Sequence, residues 1–137
     1  MNAVAIHLDG ALADTGRLWQ DWRADARRRF RLEGAPDEEL PNWRQLLERF
    51  AEERAPVYFR PDAETSAALR RLEATGRRIG VFTDAPEPLA RVALAQLGAA
   101  RRVEALETGA DALERLLTHL GPDTSVVRTR EQLLALR

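Results

Sequence analysis

The sequence predicts an α/β protein with a Rossmann-like, three-layer α/β/α fold around a mostly parallel four-stranded sheet. From residue 62 onward, short apolar runs alternate with amphipathic helical segments, which is typical of a parallel sheet with helices on both faces. A further apolar run at residues 3–8 precedes this alternation, and two helical segments form an insert between them at residues 16–56. The chain has 137 residues, so we expect a single domain over residues 1–137.

The first strand and the first insert helix follow from their apolar patterns. Residues 3–8 read AVAIHL, an apolar run of the kind found in buried parallel strands. Residues 17–32 place arginines on one side and apolar residues on another, which indicates an amphipathic helix that ends before Gly34 and Pro36. The residues expected on its inward face are Leu18, Trp22, Ala26 and Phe30.

The second insert helix is expected over residues 42–54, where apolar residues recur on one stripe. Asn42 is the expected N-cap, because its side chain can accept a hydrogen bond from the first turn. Pro56 and Pro61 bracket residues 57–60, which predicts a linker or a short extended piece there.

The remaining chain alternates helix and strand, and glycines or prolines mark most of the boundaries. Helices are expected over residues 62–75, 86–97, 109–120 and 131–137. Strands are expected over residues 79–82, 101–106 and 125–128. Right-handed crossover connections are expected among these strands and the first one.

Composition excludes several classes of function. The 21 basic and 22 acidic residues give a net charge of -1, whereas a general nucleic-acid binder carries a strong basic excess. Without cysteine the chain forms neither disulfides nor thiolate zinc sites, and two histidines, His7 and His119, are too few for a histidine-rich metal site. No run approaches the ~20 apolar residues of a membrane span. The N-terminus lacks the pattern of a signal peptide, so we expect a cytoplasmic protein.

Two strand ends carry the candidate functional residues, since ligands of open α/β sheets bind at the carboxyl ends of the strands. The first strand continues as HLDGALADT, and the second ends at Thr83-Asp84. These motifs resemble those of the haloacid dehalogenase superfamily of phosphohydrolases, in which the first strand ends in Asp-x-Asp-Gly-Thr-Leu and the second in Thr or Ser followed by Asn. The matching residues of the first motif are Asp9, Gly10, Leu12, Asp14 and Thr15. The resemblance covers nearly the whole chain. It implies the strand order 3-2-1-4 and a reduced cap at residues 16–56.

The departures from this resemblance fall on catalytic positions. The family attacks phosphorus with the first Asp of the first motif, and His7 occupies that position. Asp9 matches the second Asp, which acts as general acid and base in the family's phosphatases. The third motif supplies a lysine, but all 21 basic residues of this chain are arginines. Glu107 and Ala110 stand near the place of that lysine, and neither can replace it.

The magnesium site of the family is altered as well. In intact relatives, the ligands are the first Asp of the first motif, the backbone at the second Asp, and an acidic residue after the fourth strand, in keeping with the oxygen ligands that Mg²⁺ prefers. His7 replaces the first of these ligands, and the stretch from Arg128 to Arg130 replaces the last. Two arginines would repel a cation, so we expect no metal and no other cofactor.

Two functions remain open. In the first, the chain is a haloacid dehalogenase-like protein that has lost phosphohydrolase activity and acts as a binding, regulatory or scaffold pseudoenzyme, with His7 filling the space of the lost Asp. In the second, it is a divergent phosphatase of a small phosphorylated metabolite, in which His7 forms a phosphohistidine and Asp9 acts as the acid.

A small anion is one candidate ligand. Thr83, Asp84 and Arg128 are the candidate phosphate-binding residues, since a hydroxyl beside helix N-terminal amides forms an anion site. The alternative is an ordinary helix cap. Asp14, next to the first motif, either shapes the turn into the insert or is a solvated loop carboxylate.

A protein partner is the other candidate. The insert carries Trp19, Trp22 and Trp43, and an exposed aromatic surface there could bind another protein or a second copy of the chain. The alternative is ordinary packing of the insert on the core.

Overall fold

The strands form the sheet that the sequence predicts. In this computed structural model, which describes residues 2–136, four parallel strands make up one sheet. They are Ala3–His7 (β1), Arg78–Thr83 (β2), Ala105–Thr108 (β3) and Thr124–Val127 (β4). Their order across the sheet is β3-β2-β1-β4. The α/β class and the predicted strand order are therefore confirmed.

Helices lie on both faces of the sheet. They are Gly16–Phe30 (α1), Pro36–Glu39 (α2), Trp43–Tyr58 (α3), Ala63–Ala74 (α4), Glu87–Gln96 (α5), Ala112–Leu120 (α6) and Arg130–Ala135 (α7). On one face, α6 buries Leu116 against Phe82 and the small residues of β1. On the other face, Leu69 of α4, Leu89 of α5 and Leu133 of α7 join the apolar side chains of β1 and β2 in the main core. Within residues 2–136, no helix combines the length and the apolar character needed to cross a membrane.

The insert packs into the main core. Leu18 and Trp22 of α1, with Leu47 and Phe50 of α3, are buried in the same cluster as the apolar residues of β1 and β2. Helix α3 also packs against α5 and α1. The insert and the sheet therefore share one continuous hydrophobic core.

The predicted linker at residues 57–60 is shorter than expected, because α3 continues through Pro56 to Tyr58 and leaves only Phe59 and Arg60 outside the helix. Its apolar stripe continues with Ala55 and Phe59, which are 3% and 1% exposed. Burial of these side chains outweighs the loss of the hydrogen bond that a proline removes from a helix interior. The helical insert therefore reaches Tyr58 and does not stop at residue 56.

The third strand begins later than expected. A 3-10 turn, Ala100–Arg102, occupies the start of the predicted strand at residues 101–106, and β3 begins at Ala105. The backbone amides of Arg102 and Val103 donate to the carbonyl oxygens of Ala99 and Ala100 within this turn, and not across the sheet. Arg102 also pairs with Glu73 of α4 at 2.6 Å.

Helix ends account for the remaining differences. Phe30 is 43% exposed rather than inward, because α1 ends there and Arg31 adopts a left-handed conformation with a φ of 53°. Asn42 occupies the expected N-cap position, although its side chain makes no capping hydrogen bond within the described residues. Arg137, the last residue of the predicted C-terminal helix, lies outside the described residues.

Candidate functional site

The carboxyl ends of β1 and β2 lie side by side, since His7 pairs with Phe82 in the parallel register. After β1 the chain makes a π-helical turn over Leu8–Leu12. Gly10 brings this turn against the end of β4, where a Cβ at Gly10 would lie 1.9 Å from the carbonyl oxygen of Arg128. A side chain does not fit at that distance, so glycine sets the path of the chain between β1 and α1.

The Asp9 carboxylate is the centre of a hydrogen-bond network. Its Oδ1 accepts bonds from the backbone amide of Thr15 at 2.9 Å and from the Thr15 hydroxyl at 2.5 Å. Its Oδ2 accepts a bond from the Thr83 hydroxyl at 2.5 Å. The Thr83 oxygen in turn accepts a bond from the amide of Ala85 at 3.1 Å. Asp9 therefore connects the end of β1, the start of α1 and the end of β2.

His7 lies on the face of the sheet that α6 covers. Alternation along β1 places it on the same face as Ala5, and its ring stacks on Phe82 with the centroids 5.0 Å apart. The guanidinium of Arg128 lies 5.6 Å from the centroid of the same Phe82 ring. Within residues 2–136, the His7 imidazole has no hydrogen-bond partner. Stacking and cation–π contacts therefore hold this group together.

A cavity of about 420 Å³ lies between the insert and the strand ends. Four carboxylates and two indole rings line it, together with smaller residues: Asp9, Asp14, Asp37, Asp84, Trp19 and Trp43. Among the described residues that line it, none is an arginine or a histidine. Arg23, just outside, places its Nε 3.5 Å from Asp37 Oδ1. The cavity is therefore acidic and partly aromatic.

The candidate residues from the sequence fall into two groups rather than one site. Asp9 and Asp84 line the cavity, and Thr83 contacts Asp9 directly. His7 and Arg128 pack on a common aromatic ring and are not among the described residues that line the cavity. Asp84 is exposed to solvent. It follows Thr83, whose hydroxyl already donates a hydrogen bond to Asp9.

The tryptophans of the insert form one aromatic cluster. Trp22 is 2% exposed and stacks on Trp19 with the ring centroids 5.4 Å apart. Trp43 meets Trp19 edge-on at 6.1 Å. Trp22 thus belongs to the core, whereas Trp19 and Trp43 are half-buried at the cavity wall. A protein partner or a homodimer at this surface stays a prediction.

Asp37 is a cavity residue that sequence reasoning missed. It lies on α2, whose four residues are too few to show an apolar period. Pro36 was the usable signal, because proline is favoured in the first turn of a helix. Asp14 was noted beside the motif, and its Oδ1 accepts a hydrogen bond from the amide of Gly16 at 3.0 Å. Asp14 therefore shapes the start of α1.

The residues at the strand ends do not fit the Mg²⁺ ion that the family resemblance implies. Within residues 2–136, no three His, Asp or Glu side chains lie close enough together to hold a metal ion. Asp9 already accepts three hydrogen bonds, and a carboxylate has about four acceptor positions. After β4, Arg130 donates a hydrogen bond to Asp62 at 2.8 Å, and this bond lowers the pKa of the Asp62 carboxyl. The oxygens at these strand ends therefore do not converge on one point, as the ligands of a divalent metal ion do.

The loop after β3, where the family places its lysine, is held by an arginine from α6. Arg115 pairs through Nε with Glu107 at 2.9 Å. Its two terminal nitrogens donate to the carbonyl oxygens of Ala110 at 2.6 Å and of Thr108 at 2.5 Å. Arg115 is thus engaged with its own loop and is not among the described residues that line the cavity.

Comparison with known proteins bears on the fold. Neither a protein-family model nor a curated protein matches the chain. A crystal structure from Thermotoga maritima, assigned as a beta-phosphoglucomutase, aligns with a TM-score of 0.59 and 15% sequence identity. The alignment covers 92% of this chain and 75% of that one. The fold is haloacid dehalogenase-like.

At 15% identity, this likeness concerns the fold and not the activity. Within the haloacid dehalogenase-like fold, the two motifs that carried the sequence resemblance lie on adjacent strand ends. Asp9 from the first motif and Thr83 from the second meet there in a direct hydrogen bond. The two motifs of the sequence resemblance therefore meet at one edge of the sheet.

Proposed function

We propose that this haloacid dehalogenase-like protein has lost phosphohydrolase activity and works by binding, as a regulatory or scaffold protein. The observation that carries the proposal is the hydrogen bonding of the Asp9 carboxylate. Both of its oxygens accept hydrogen bonds from threonines, at 2.5 to 2.9 Å. A general acid needs an oxygen that carries a proton to the leaving group, whereas these bonds make Asp9 a structural link between three elements.

The surroundings of His7 support the same proposal. A nucleophile must reach phosphorus and be activated by a neighbouring group. His7 stacks on Phe82, and within the described residues no acid or base hydrogen-bonds to its imidazole. The sequence holds no lysine to steady the charge of a phosphorylated nucleophile. Catalytic groups act as a unit, so these losses together remove far more activity than any one of them.

The charge of the cavity also opposes a phosphate ester. Asp9, Asp14 and Asp84 line it, and no arginine or histidine of residues 2–136 forms an ion pair with them. Two like unit charges 4 Å apart repel by about 1 kcal/mol in water and by about 4 kcal/mol at the effective dielectric near a protein surface. Several carboxylates around one phosphate would therefore weaken its binding severely.

A divergent phosphatase that uses His7 and Asp9 is the second candidate. It is favoured by the His7 imidazole, whose nitrogens have no hydrogen-bond partner within the described residues and are free to react. Arg128, which packs on the same Phe82 ring, would supply positive charge beside a phosphorylated His7.

Phosphoenzyme trapping separates the two candidates. The protein is incubated with radiolabelled acetyl phosphate and Mg²⁺, quenched, and assayed for label that survives acid or base. The pseudoenzyme proposal predicts no stoichiometric label under either condition. A base-stable, acid-labile label that disappears in His7→Ala would support the divergent phosphatase instead. An acid-stable label lost in Asp9→Asn would contradict both candidates.

A further inference from the structure

We propose that the open edge of β4, on the side away from β1, pairs with β4 of a second copy and joins two sheets across a two-fold axis. No residue of β4 is among the described residues that line the Asp9 cavity. The inference therefore goes beyond the proposed function and holds whether or not phosphohydrolase activity is lost. It rests on the backbone of β4, on the contrast between the two sheet edges, and on the charges at the ends of β4.

The backbone of β4 points alternately toward β1 and away from it. The carbonyl oxygen of Asp123 accepts hydrogen bonds from the amides of Asn2 and Ala3, so Asp123 faces β1. Because backbone groups alternate along a strand, Thr124 and Val126 direct their amides and carbonyls away from the sheet. Among residues 2–136, no backbone group pairs with these outward groups. They therefore form a template for one more strand.

The opposite edge of the sheet, at β3, is protected by charged residues. Glu107 of β3 pairs with Arg115 at 2.9 Å. Glu104, which precedes β3, pairs with Arg78 at 2.5 Å. Charged side chains are a common means of keeping an edge strand from pairing with another chain. β4 reads Thr-Ser-Val-Val without a charge, and its Val126 is 37% exposed. The unprotected edge is therefore that of β4.

The surface beside this edge is partly apolar. A groove of about 420 Å³ lies between α6 and β4, and Leu117, Pro122 and Val126 are among the residues that line it. Helix α6 directs Arg115 and His119 toward the glutamates at β3, whereas Leu117 lies on the β4 side. A strand added at the edge of β4 would cover part of this apolar surface as well as pair the backbone.

The charges at the ends of β4 favour a second copy in antiparallel orientation. Asp123 directly precedes the strand, and Arg128 directly follows it. Antiparallel pairing brings the acidic start of one strand beside the basic end of the other, and the two-fold axis repeats this contact. Parallel pairing would place like charges side by side. The edge of β4 is therefore complementary to itself.

The outward backbone groups select one register. A two-fold axis at Ser125 sets Thr124 of each copy opposite Val126 of the other, so every outward amide and carbonyl of these two residues gains a partner. The ladder ends there, because Pro122 has no amide and the amide of Arg128 already donates to a side chain of α7 at 2.7 Å. The two Ser125 residues then face each other without mutual hydrogen bonds, with their Cα atoms about 4.5 Å apart.

Cysteine cross-linking tests this register, because the chain has no cysteine of its own. Ser125→Cys should form an intermolecular disulfide under mild oxidation, since the expected Cα separation lies within the range of disulfides. Ser66→Cys is the matched control, because Ser66 is the other serine of the chain, is half-buried like Ser125, and lies on α4. We expect the dimer to form about tenfold faster in Ser125→Cys. Cross-linking of Ser125→Cys no faster than that of Ser66→Cys would overturn the inference.

Sedimentation of the unmodified protein measures the association itself. We expect a monomer–dimer equilibrium with a dissociation constant on the order of 10 µM, because the paired edge is short. Val126→Lys puts a charge on this edge and should weaken the dimer about tenfold. Val57→Lys is the control, since it changes a 72% exposed valine of α3 and should leave the dimer intact. A protein that stays monomeric, assemblies larger than a dimer, or equal effects of the two lysine variants would contradict the inference. If Val126→Lys does not fold, the two cysteine variants still decide.

Discussion

The hydroxyl of Thr83, at the end of β2, donates a 2.5 Å hydrogen bond to Asp9 Oδ2 in the turn after β1. Thr83 is 1% exposed, and its oxygen also accepts a hydrogen bond from the amide of Ala85. A hydrogen bond from a buried hydroxyl to a carboxylate is stronger than one between neutral groups. The pair therefore fixes two strand ends to each other, and Thr15 extends the same network into the insert.

Replacing Asp9 should destabilise the protein. In Asp9→Ala the buried hydroxyls of Thr15 and Thr83 lose their acceptor, and an unsatisfied buried polar group costs about 1–3 kcal/mol. Asp9→Asn should cost less, since one oxygen remains. The measurement is the free energy of unfolding in urea. Asp84→Ala is the control and should change it little, because Asp84 is exposed; an Asp9→Ala protein as stable as this control would contradict the structural role of Asp9.

Alanine should be tolerated less well at Gly10 than at Gly80. A Cβ at Gly10 would lie 1.9 Å from the backbone carbonyl oxygen of Arg128, whereas a Cβ at Gly80 would meet side-chain carbons of Leu116 at 2.6 Å and of Leu120 at 2.9 Å. Leucine side chains can rotate, but a strand-end carbonyl cannot. We expect Gly80→Ala to cost about 1–3 kcal/mol and Gly10→Ala more. Thermal unfolding measures the loss of stability in each variant. A larger loss in Gly80→Ala than in Gly10→Ala would show that the turn after β1 can shift to accommodate a side chain.

Restoring the family's nucleophile should not restore activity. His7→Asp supplies the missing carboxylate, but the chain still has no lysine, and the region after β4 still carries arginines. Because catalytic groups act as a unit, one restored member yields little rate. The release of p-nitrophenol from its phosphate ester in Mg²⁺ should match that of the unmodified protein. A gain in His7→Asp that a second substitution, Asp9→Asn, abolishes would mean that the site is more nearly intact than we propose.

The ion pair between Asp62 and Arg130 should make stability depend on pH in the acid range. The hydrogen bond from Arg130 lowers the pKa of Asp62 below its ordinary value of 3.8. A carboxyl with a lowered pKa stabilises the fold above its ordinary pKa, and that contribution is lost as the pH falls through the folded-state value. Asp62→Asn should therefore be less stable than the unmodified protein at neutral pH, and the difference should shrink below about pH 4.

Asp14→Asn is the matched control for this pH series. Asp14 accepts a hydrogen bond from the amide two residues ahead, as Asp62 does, but no arginine of the described residues pairs with it. Asp14→Asn should therefore lower the free energy of unfolding at neutral pH by less than Asp62→Asn does. Equal losses in the two variants would show that the pair with Arg130 contributes nothing measurable.

The sequence was sufficient for β1 and β2 because each is a short apolar run beside a strong boundary signal. Ile79 to Phe82 is such a run, and it ends at Thr83-Asp84. The same logic failed at Pro56, where a proline that usually ends a helix is accommodated because Ala55 and Phe59 are buried. Tertiary packing determines where α3 ends, and the helix propensities of the residues alone do not predict it.

The candidate site was only partly predictable. Asp9 and Thr83 were found because each follows a strand that the apolar pattern reveals, and parallel neighbours bring their ends together. Strand alternation alone would place His7 and Asp9 on the same face. The π-helical turn over Leu8–Leu12 separates them, and no pattern in the sequence predicts that turn. Asp37 reaches the cavity on a four-residue helix, so its position depends on how the insert folds back over the strand ends.

Loss of phosphohydrolase activity is tested most directly by the turnover of phosphorylated metabolites by the unmodified protein in the presence of Mg²⁺. We predict that inorganic phosphate is released no faster than in a protein-free blank, and that Asp9→Asn leaves this rate unchanged. Saturable, Mg²⁺-dependent hydrolysis that Asp9→Asn abolishes would contradict the account, because Asp9 would then be a working acid rather than the link between Thr15 and Thr83.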